Sequence, residues 1–477
     1  MNNFFTEEAY ENMIGELFCR FPSFQKVGTG AYKPGIANME FADQLMGHPH
    51  KNYKIIHVAG TNGKGSVSSM LASALAASGR KVGLYTSPHI LDFRERARVV
   101  AEGSFTLISK EYVWNFIHQW KDTFDHLDMS FFEITTLLAL SWFADQEVDV
   151  VVLETGLGGR LDSTNIVTPV LSIITNIGLD HCDLLGETLP EVAFEKAGII
   201  KPKVPVVVGE SHPETDAVFE RKVLYTNLPE PMFMGNRNVI MSLLTFADKV
   251  EPALWSEHEA MLSGMDLQGD YQRKNLRTVL AALEVVSAGN LIGGIGILPS
   301  PDRGLQSGRG PMETTGFQLY ESILHAAERT GFRGRWEKLS DDPWIICDIG
   351  HNEHGLKYNF AQLEKMKSEG KCTDLVIVYG SVADKDVDAV MGLMPREAVY
   401  VFTQANGKRA LPAEKVYDKY AASGRSMENV HTAGNVKEAL SLAMRIVSGL
   451  GSVSPDARPL VYIGGSTYVV SEAVALL

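Results

Sequence analysis

The sequence predicts an α/β fold in two domains, and three observations carry that expectation. Apolar runs at Ile55–Val58, Asp149–Leu153 and Val170–Asn176 have the composition of buried parallel strands, with helix-periodic segments between them. The first run leads into Gly60-Thr61-Asn62-Gly63-Lys64-Gly65-Ser66, after which Val67, Met70, Leu71, Ala74 and Leu75 recur at helical spacing. A second series of apolar strands begins at Trp344, and 477 residues favour two domains over one. The expected architecture is an N-terminal P-loop-type ATPase domain with a mostly parallel sheet, residues 1–332, and a smaller C-terminal Rossmann-like α/β domain, residues 333–477.

Strand, glycine loop and helix together make a phosphate cradle. Glycines let backbone N–H groups approach an anion, and the helix N-terminus adds partial positive charge. Thr61, Asn62, Gly63, Lys64, Gly65 and Ser66 form the candidate ATP loop, with Lys64 as the mobile cation and Ser66 as a hydroxyl for Mg²⁺. The general motif G-x-x-x-x-G-K-[ST] is met imperfectly, since Val58 replaces its first glycine and Gly65 its hydroxyl residue. A glycine-rich turn without function is the alternative.

The formal net charge of −14 argues against non-specific nucleic-acid binding, which needs Lys and Arg against phosphate. Cys19, Cys182, Cys347 and Cys372 are far apart and form no CxxC pair, so neither a disulfide framework nor a zinc site is expected. Glu7, Glu8 and Glu11 exclude a signal peptide, and no apolar run reaches the roughly 20 residues of a membrane span. A cytoplasmic protein without nucleic-acid or membrane partners is expected.

Along the chain, residues 7–20 read as an amphipathic helix, and the Gly- and Pro-rich residues 21–38 as a long loop. Lys81–Thr86 is a strand ending in Ser87-Pro88-His89, which places Ser87 at the sheet edge where parallel α/β proteins bind ligands. The charged stretch Asp92–Arg96 reads either as a solvated helix face or as a contact for an anionic substrate. Residues 110–126 and 131–144 read as helices, and Ser130 with Glu133 has the spacing of a capping box. Glu154, at the tip of a buried strand and followed by glycines, is well placed to hold Mg²⁺. His181 ends the next strand on the same sheet edge, a better ligand position than that of a lone surface histidine. Lys196 falls near a helix C-terminus, where a lysine is ordinarily a dipole partner. Residues 210–262 carry little signal. Asn275 opens a helix with Leu276, Val279, Leu280 and Leu283 on one face, residues 288–316 read as a flexible glycine-rich insertion, and residues 317–330 as the last helix before a hinge at 331–337.

Six segments in order, residues 60–66, 86–89, 154–165, 178–181, 195–199 and 348–352, resemble the folylpolyglutamate synthases, relatives of the Mur ligases, often also dihydrofolate synthases. The chain departs from the family pattern at Thr155, Ser163 and Glu353, the last standing where Pro usually follows Asp348-Ile349-Gly350-His351-Asn352. The resemblance implies ATP and Mg²⁺ at two sites as cofactors, admits K⁺, and names dihydropteroate, tetrahydrofolate and L-glutamate as small-molecule partners of a monomer. It assigns Ser66, Ser87 and Glu154 to a first Mg²⁺, and His181 with carbamylated Lys196 to a second. It turns Asn275, Arg335 and Asp348 towards ATP, and His351 and Ser466 towards glutamate. Folate contacts are implied for Thr29, Gly30, Ala31, Tyr32, Ser130, Phe131, Phe132, Glu133, Leu161, Asp162 and Ser163. Lys64, Lys196, His181 and His351 are the implied catalytic set.

The implied reaction is ATP-dependent amide formation. A folate carboxylate is phosphorylated, and the acyl phosphate is attacked by the amine of L-glutamate. Both reacting groups are anions, so charge neutralisation by Lys64 and Mg²⁺ suits the transition state, with domain closure bringing in Arg335 and Asp348. Two alternatives stand beside it: a Mur-type ligase acting on a cell-wall precursor, and a non-ligase nucleotide switch. Gly-Lys-Gly-Ser in place of Gly-Lys-Thr speaks against the first, and the segments at 195–198 and 348–352 against the second.

Overall fold

The computed structural model describes residues 4–20, 35–227, 237–252, 255, 258–293, 311–453 and 458–477. The chain divides into two compact units, one of Met1–His89, Phe93–Asp266 and Gln272–Phe332, the other of Ile90–Asp92, Leu267–Tyr271 and Arg333–Leu477.

The first unit is built on an eight-stranded sheet. Its strands are β1 (Lys54–Ala59), β2 (Val82–Tyr85), β3 (Ala97–Ala101), β4 (Ser104–Leu107), β5 (Val150–Glu154), β6 (Leu171–Ile174), β7 (Val206–Val208) and β8 (Leu244–Phe246). They lie in the order β4-β3-β2-β5-β1-β6-β7-β8. From β2 to β8 all pairs are parallel, and β3 and β4 add an antiparallel edge. The central strands are mostly Val, Ile and Leu because helices cover both faces of such a sheet.

Helix α1 (Glu7–Arg20) buries Tyr10, Met13 and Leu17, and α2 (Ala37–Leu45) occupies the end of the stretch expected to be loop. Helix α3 (Lys64–Ala77) follows β1 and is buried from Gly65 to Ala76. Four serines, Ser66, Ser68, Ser69 and Ser73, therefore lie inside, where small side chains permit close packing. Helices α4 (Lys110–His126) and α5 (Phe131–Asp145) carry the aromatic half of the core, with Trp114, Phe116, Phe124, Phe131, Trp142 and Phe143. The capping box at α5 is present: Ser130 Oγ accepts from Glu133 N at 3.3 Å, and Glu133 Oε2 accepts from Ser130 N at 2.6 Å.

Two expectations need correction. The insertion is shorter than 288–316, because helix α7 (Gln272–Ala288) runs to its start and a helix resumes at Pro311–Leu324. Residues 294–310 of that insertion lie outside the described residues, as do Thr29, Gly30, Ala31 and Tyr32. The helix expected at 317–330 is two helices, Pro311–Leu324 and Ala326–Thr330. Among the described residues no helix is long and apolar enough to cross a membrane.

The second unit has six strands, β9 (Glu337–Asp341), β10 (Trp344–Asp348), β11 (Leu375–Tyr379), β12 (Val399–Phe402), β13 (Val430–Thr432) and β14 (Leu460–Gly464), in the order β13-β12-β11-β14-β10-β9. All pairs are parallel except β9 against β10. Helices α8 (Glu353–Ser368) and α9 (Thr467–Leu476) start just beyond β10 and β14.

His57 is fully buried in the middle of β1, its Nε2 2.8 Å from Thr164 Oγ1, and burial holds its imidazole down at about 3. An unfolded histidine titrates near ~6.5, so the unfolded chain binds the extra proton as the solution is acidified. The stability held by neutral His57 is present above that pH and is lost as pH falls towards 3. Urea melts between pH 7 and 4 should show wild type losing up to about 1.4 kcal/mol per pH unit from this group. His57→Gln should flatten that acid limb.

Candidate active site

The C-terminal ends of β2, β5, β1 and β6 are neighbours on one sheet edge, where the crevice of a parallel α/β sheet forms. The loop after β1 is tied to the loop after β6. Thr61 N donates to Asn176 O at 3.0 Å and Asn62 N to Asn176 Oδ1 at 3.0 Å; Thr61 Oγ1 donates to Gly178 O at 2.9 Å, and Thr175 Oγ1 to Asn62 O at 2.6 Å. Gly63 begins α3 with φ of 81°, and a Cβ there would lie 2.3 Å from Asn275 Oδ1. Gly65 breaks the general motif for a steric reason: a Cβ would meet the Phe332 ring at 2.7 Å. Ser66, 1% exposed, accepts from Gln272 Nε2 at 3.2 Å, and Gln272 Oε1 accepts from Asn275 Nδ2 at 2.8 Å. Gln272 is not marked by any sequence signal, being one polar position among several at a helix start.

Two lysines converge on this loop. Lys64 Nζ donates to Gly60 O at 3.1 Å and Thr61 O at 3.2 Å, and Lys196 Nζ donates to the same Gly60 O at 3.0 Å. Lys196 ends helix α6 (Leu189–Lys196), but its side chain is turned inward and only 3% of the residue is exposed. The ordinary dipole-partner reading, which wants an exposed cation, does not describe it. Burial first, and the nearby Lys64 charge second, lower its ammonium to about 7, against the opposing pull of Asp180 and Asp162.

Glu154 ends β5, is buried, and accepts from Ser87 N at 3.2 Å through Oε2. Glu154, Ser66 and Ser87 thus offer one carboxylate and two hydroxyls from adjacent strand ends. Among the described residues no three His, Cys, Asp or Glu side chains form a metal cage. A sparse, all-oxygen set fits Mg²⁺, which keeps water and takes one or two carboxylates plus phosphate oxygens. Beyond Glu154 the loop folds around Asp162, which accepts from Leu157 N at 2.8 Å, Thr164 N at 3.0 Å and Thr164 Oγ1 at 2.5 Å. Burial still raises the Asp162 carboxyl above its usual range. Leu161 and Ser163 flank it, half-buried. His181 has φ of 53° and heads the turn Cys182–Leu185, its Nε2 3.8 Å from Asp180 Oδ2.

The stretch Asp92–Arg96 is not simply a solvated face. Arg96 is 4% exposed, lies 5.2 Å over the Phe131 ring and donates through Nε to His89 Nδ1 at 2.9 Å. Phe131 itself is buried, stacked on Phe18 at 4.5 Å and edge-on to Phe93 at 6.0 Å. Phe132 is half-buried against Gly156, and Ser130 and Glu133 are engaged in their capping box.

In the second unit, Asp348 ends β10 and is 2% exposed. Its Oδ2 accepts from Tyr271 OH at 2.6 Å and Trp336 N at 2.8 Å, and its Oδ1 from Gly350 N at 2.7 Å and Asn359 Nδ2 at 2.8 Å. These bonds fix the loops that carry Arg335 and His351. Arg335 Nη1 donates to Gly334 O at 3.2 Å, and His351 Nδ1 lies 3.0 Å from Ile349 O. Glu353, in the place of the family's Pro, is the first residue of α8, with Asn352 Oδ1 capping it by accepting from Gly355 N at 2.8 Å. Ser466, 3% exposed, caps α9 through Tyr468 N at 3.2 Å, and Tyr468 OH accepts from Arg409 Nη1 at 3.2 Å.

Comparison with known proteins agrees with this layout. Residues 58–221 match the Mur ligase middle domain, and residues 334–453 match the Mur ligase, glutamate ligase domain. The dihydrofolate synthase/folylpolyglutamate synthase of Bacillus subtilis is 32% identical over 407 residues, 83% of this chain and 86% of that protein. The Mycobacterium tuberculosis folylpolyglutamate synthase complexed with ADP superimposes with a TM-score of 0.76 at 24% identity, covering 99% of both chains. The bifunctional folylpolyglutamate synthase/dihydrofolate synthase from Yersinia pestis, complexed with AMPPNP and Mn ion, gives 0.71 at 23% identity over 98% of this chain and 97% of that one. Sheet order, the strand-end loops and these matches agree: the chain belongs to the dihydrofolate synthase/folylpolyglutamate synthase family of ATP-dependent ligases within the Mur ligase fold.

Proposed function

We propose that this ligase adds L-glutamate to tetrahydrofolate and its polyglutamates, and also to dihydropteroate, through an acyl phosphate. The observation that carries the reading is the pair Lys64 and Lys196 converging on Gly60 O beside the Glu154 loop. Lys64 puts a cation at that edge, where two anions, a carboxylate and a γ-phosphate, have to approach, and Lys196, its proton affinity lowered by burial, puts a second nitrogen beside it. Membership of the family favours this reading over a cell-wall ligase or a nucleotide switch.

In this reading residues 60–66 cradle the ATP phosphates, and Lys64 exchanges its loop carbonyls for phosphate oxygens. Lys64 then stabilises the charge that develops on the transferring group. Asn275 and Arg335 contribute to nucleotide binding. Asp348 serves it by fixing the Arg335 loop, since its carboxylate already accepts four hydrogen bonds. Glu154, Ser66 and Ser87 would hold a first Mg²⁺, and His181 with Lys196 a second; bound there, the ions neutralise phosphate charge. K⁺ is a further candidate cation. Folate lies against the Phe132 side of the 154–165 loop, with Thr29, Gly30, Ala31, Tyr32, Ser130, Phe131, Glu133, Leu161, Asp162 and Ser163 as its shell. Glutamate meets His351 and Ser466. The enzyme acts as a monomer.

Lys196 contributes as a carbamate. A free ammonium repels Mg²⁺, whereas the carbamate supplies an anionic oxygen. Carbamate formation joins the amine nitrogen to CO₂ and releases one proton, so it requires the neutral amine. Its lowering to about 7 leaves roughly half the Lys196 amines neutral at that pH, and more above it.

Mass analysis of the products decides between the activities. Dihydropteroate and tetrahydrofolate, each with ATP and L-glutamate, should both gain one glutamate residue. Product from tetrahydrofolate alone would restrict the enzyme to polyglutamylation, and product from neither would remove the reading.

Protein equilibrated with ¹³C-bicarbonate should show a carbamate resonance that grows between pH 6.5 and 8 and is absent from Lys196→Ala. That variant should be nearly inactive and partly restored by short-chain carboxylates. A protein fully active without the resonance would exclude the carbamate.

A further inference from the structure

Arg98 is a buried cation that the reaction described above does not use. It lies in β3 and is 2% exposed. Among the described residues its side chain makes one hydrogen bond, from Nη1 to Thr86 Oγ1 at 3.2 Å, and its Nε finds no partner. The sheet register shows what this arginine faces. Arg98 pairs with Leu84 of β2, and Leu84 pairs with Val152 of β5. Side chains at paired positions share a face, and so do residues two apart along each strand. Arg98, Thr86 and Glu154 are therefore on one face. Tyr85 pairs with Leu153, so continuing the register brings Thr86 beside Glu154, about 5 Å away across the sheet. The guanidinium is bonded to the residue next to Glu154, while Ser87 N, one position on, holds Glu154 Oε2.

We propose that Arg98 sets the metal affinity of the Glu154 site, cancelling the carboxylate charge so that a divalent cation is held there only together with the nucleotide phosphates. The inference rests on the reading of Glu154 as a metal ligand.

The charge count around the site points the same way. Glu154 is flanked by Arg98 on one side and by the Lys64 loop on the other, so a free divalent ion gains little from one carboxylate already compensated. ATP brings its own negative oxygens and reverses that balance. Burial lowers Arg98 to about 10, with Glu95 and Glu154 opposing, so the group is still a cation at neutral pH. As a positioning residue it also holds the Thr86–Ser87 turn. The Thr86 bond explains a polar partner there, but it does not need a permanent charge.

Mn²⁺ binding followed by electron paramagnetic resonance tests this without turnover. Wild-type protein should bind Mn²⁺ weakly alone and far more tightly with AMPPNP. Arg98→Gln, which keeps a donor for Thr86, and Arg98→Met should each bind Mn²⁺ alone at least about tenfold more tightly, since one unit charge next to a divalent ion is gone. Arg98→Lys should behave as wild type. A merely structural role would weaken the site in both neutral variants, and that result, or unchanged binding, overturns the proposal. Tight Mn²⁺ binding by nucleotide-free wild type overturns it before any variant is made. Glu154→Gln separates the two readings: if it leaves Mn²⁺–AMPPNP binding unchanged, the metal-ligand reading fails. If it weakens that binding while Arg98→Gln has no effect, only the Arg98 inference fails.

Discussion

Two lysine amines share one carbonyl oxygen in this protein, and burial, reinforced by the repulsion between them, governs what that site can hold. Lys64 and Lys196 both donate to Gly60 O, one from the start of α3 and one from the end of α6. Holding two ammonium groups there would be costly in a dry site, and Lys196 responds by losing much of its proton affinity. The loop that carries Gly60 cannot relax away, because Thr61, Asn62 and Thr175 tie it to the end of β6. The apo site is thus poised for anions. Its backbone is fixed, its carboxylate is held by Ser87 N–H, and the Lys64 cation is directed at a carbonyl that phosphate can replace.

The same economy appears in the second unit, where one buried carboxylate organises several loops. Asp348 collects donors from residues 271, 336, 350 and 359. A shorter or longer side chain there would orphan at least one of these buried donors. Arg335 and His351 each lie one position from a residue bonded to it, so the backbone that carries them is fixed before any ligand arrives.

Much of the fold could be read from residue patterns, and the misses have physical causes. The strand–loop–helix at 54–77, the carboxylate ending β5 and the capping box at Ser130 are local features, written in consecutive residues. The hairpin β3–β4 and the edge strand β9 were hidden because their sequences, ARVVA, SFTL and EKLSD, carry charge or are too short for a clear alternation. Arg96 belongs to a charged stretch that the sequence leaves open between a solvated face and a substrate contact, and Arg98 carries no signal of its own; both are buried, Arg98 through its pairing with β2. Gln272 reaches Ser66 across more than two hundred residues of sequence, a relation no spacing rule contains. The position of Lys196 at a helix end was legible; its inward turn and its partner Gly60 were not.

The contact between Gly65 and Phe332 bears on how such a loop can change over evolutionary time. The Phe332 ring fills the space a side chain at position 65 would need. A hydroxyl residue at 65, as the general phosphate-loop motif has, requires the ring to turn aside or shrink, and a smaller residue at 332 leaves a void while 65 stays glycine. Either change made alone strains or loosens that contact. The two positions should be inherited as a unit, so that lineages divide into a glycine–aromatic and a hydroxyl–small form with few mixed cases.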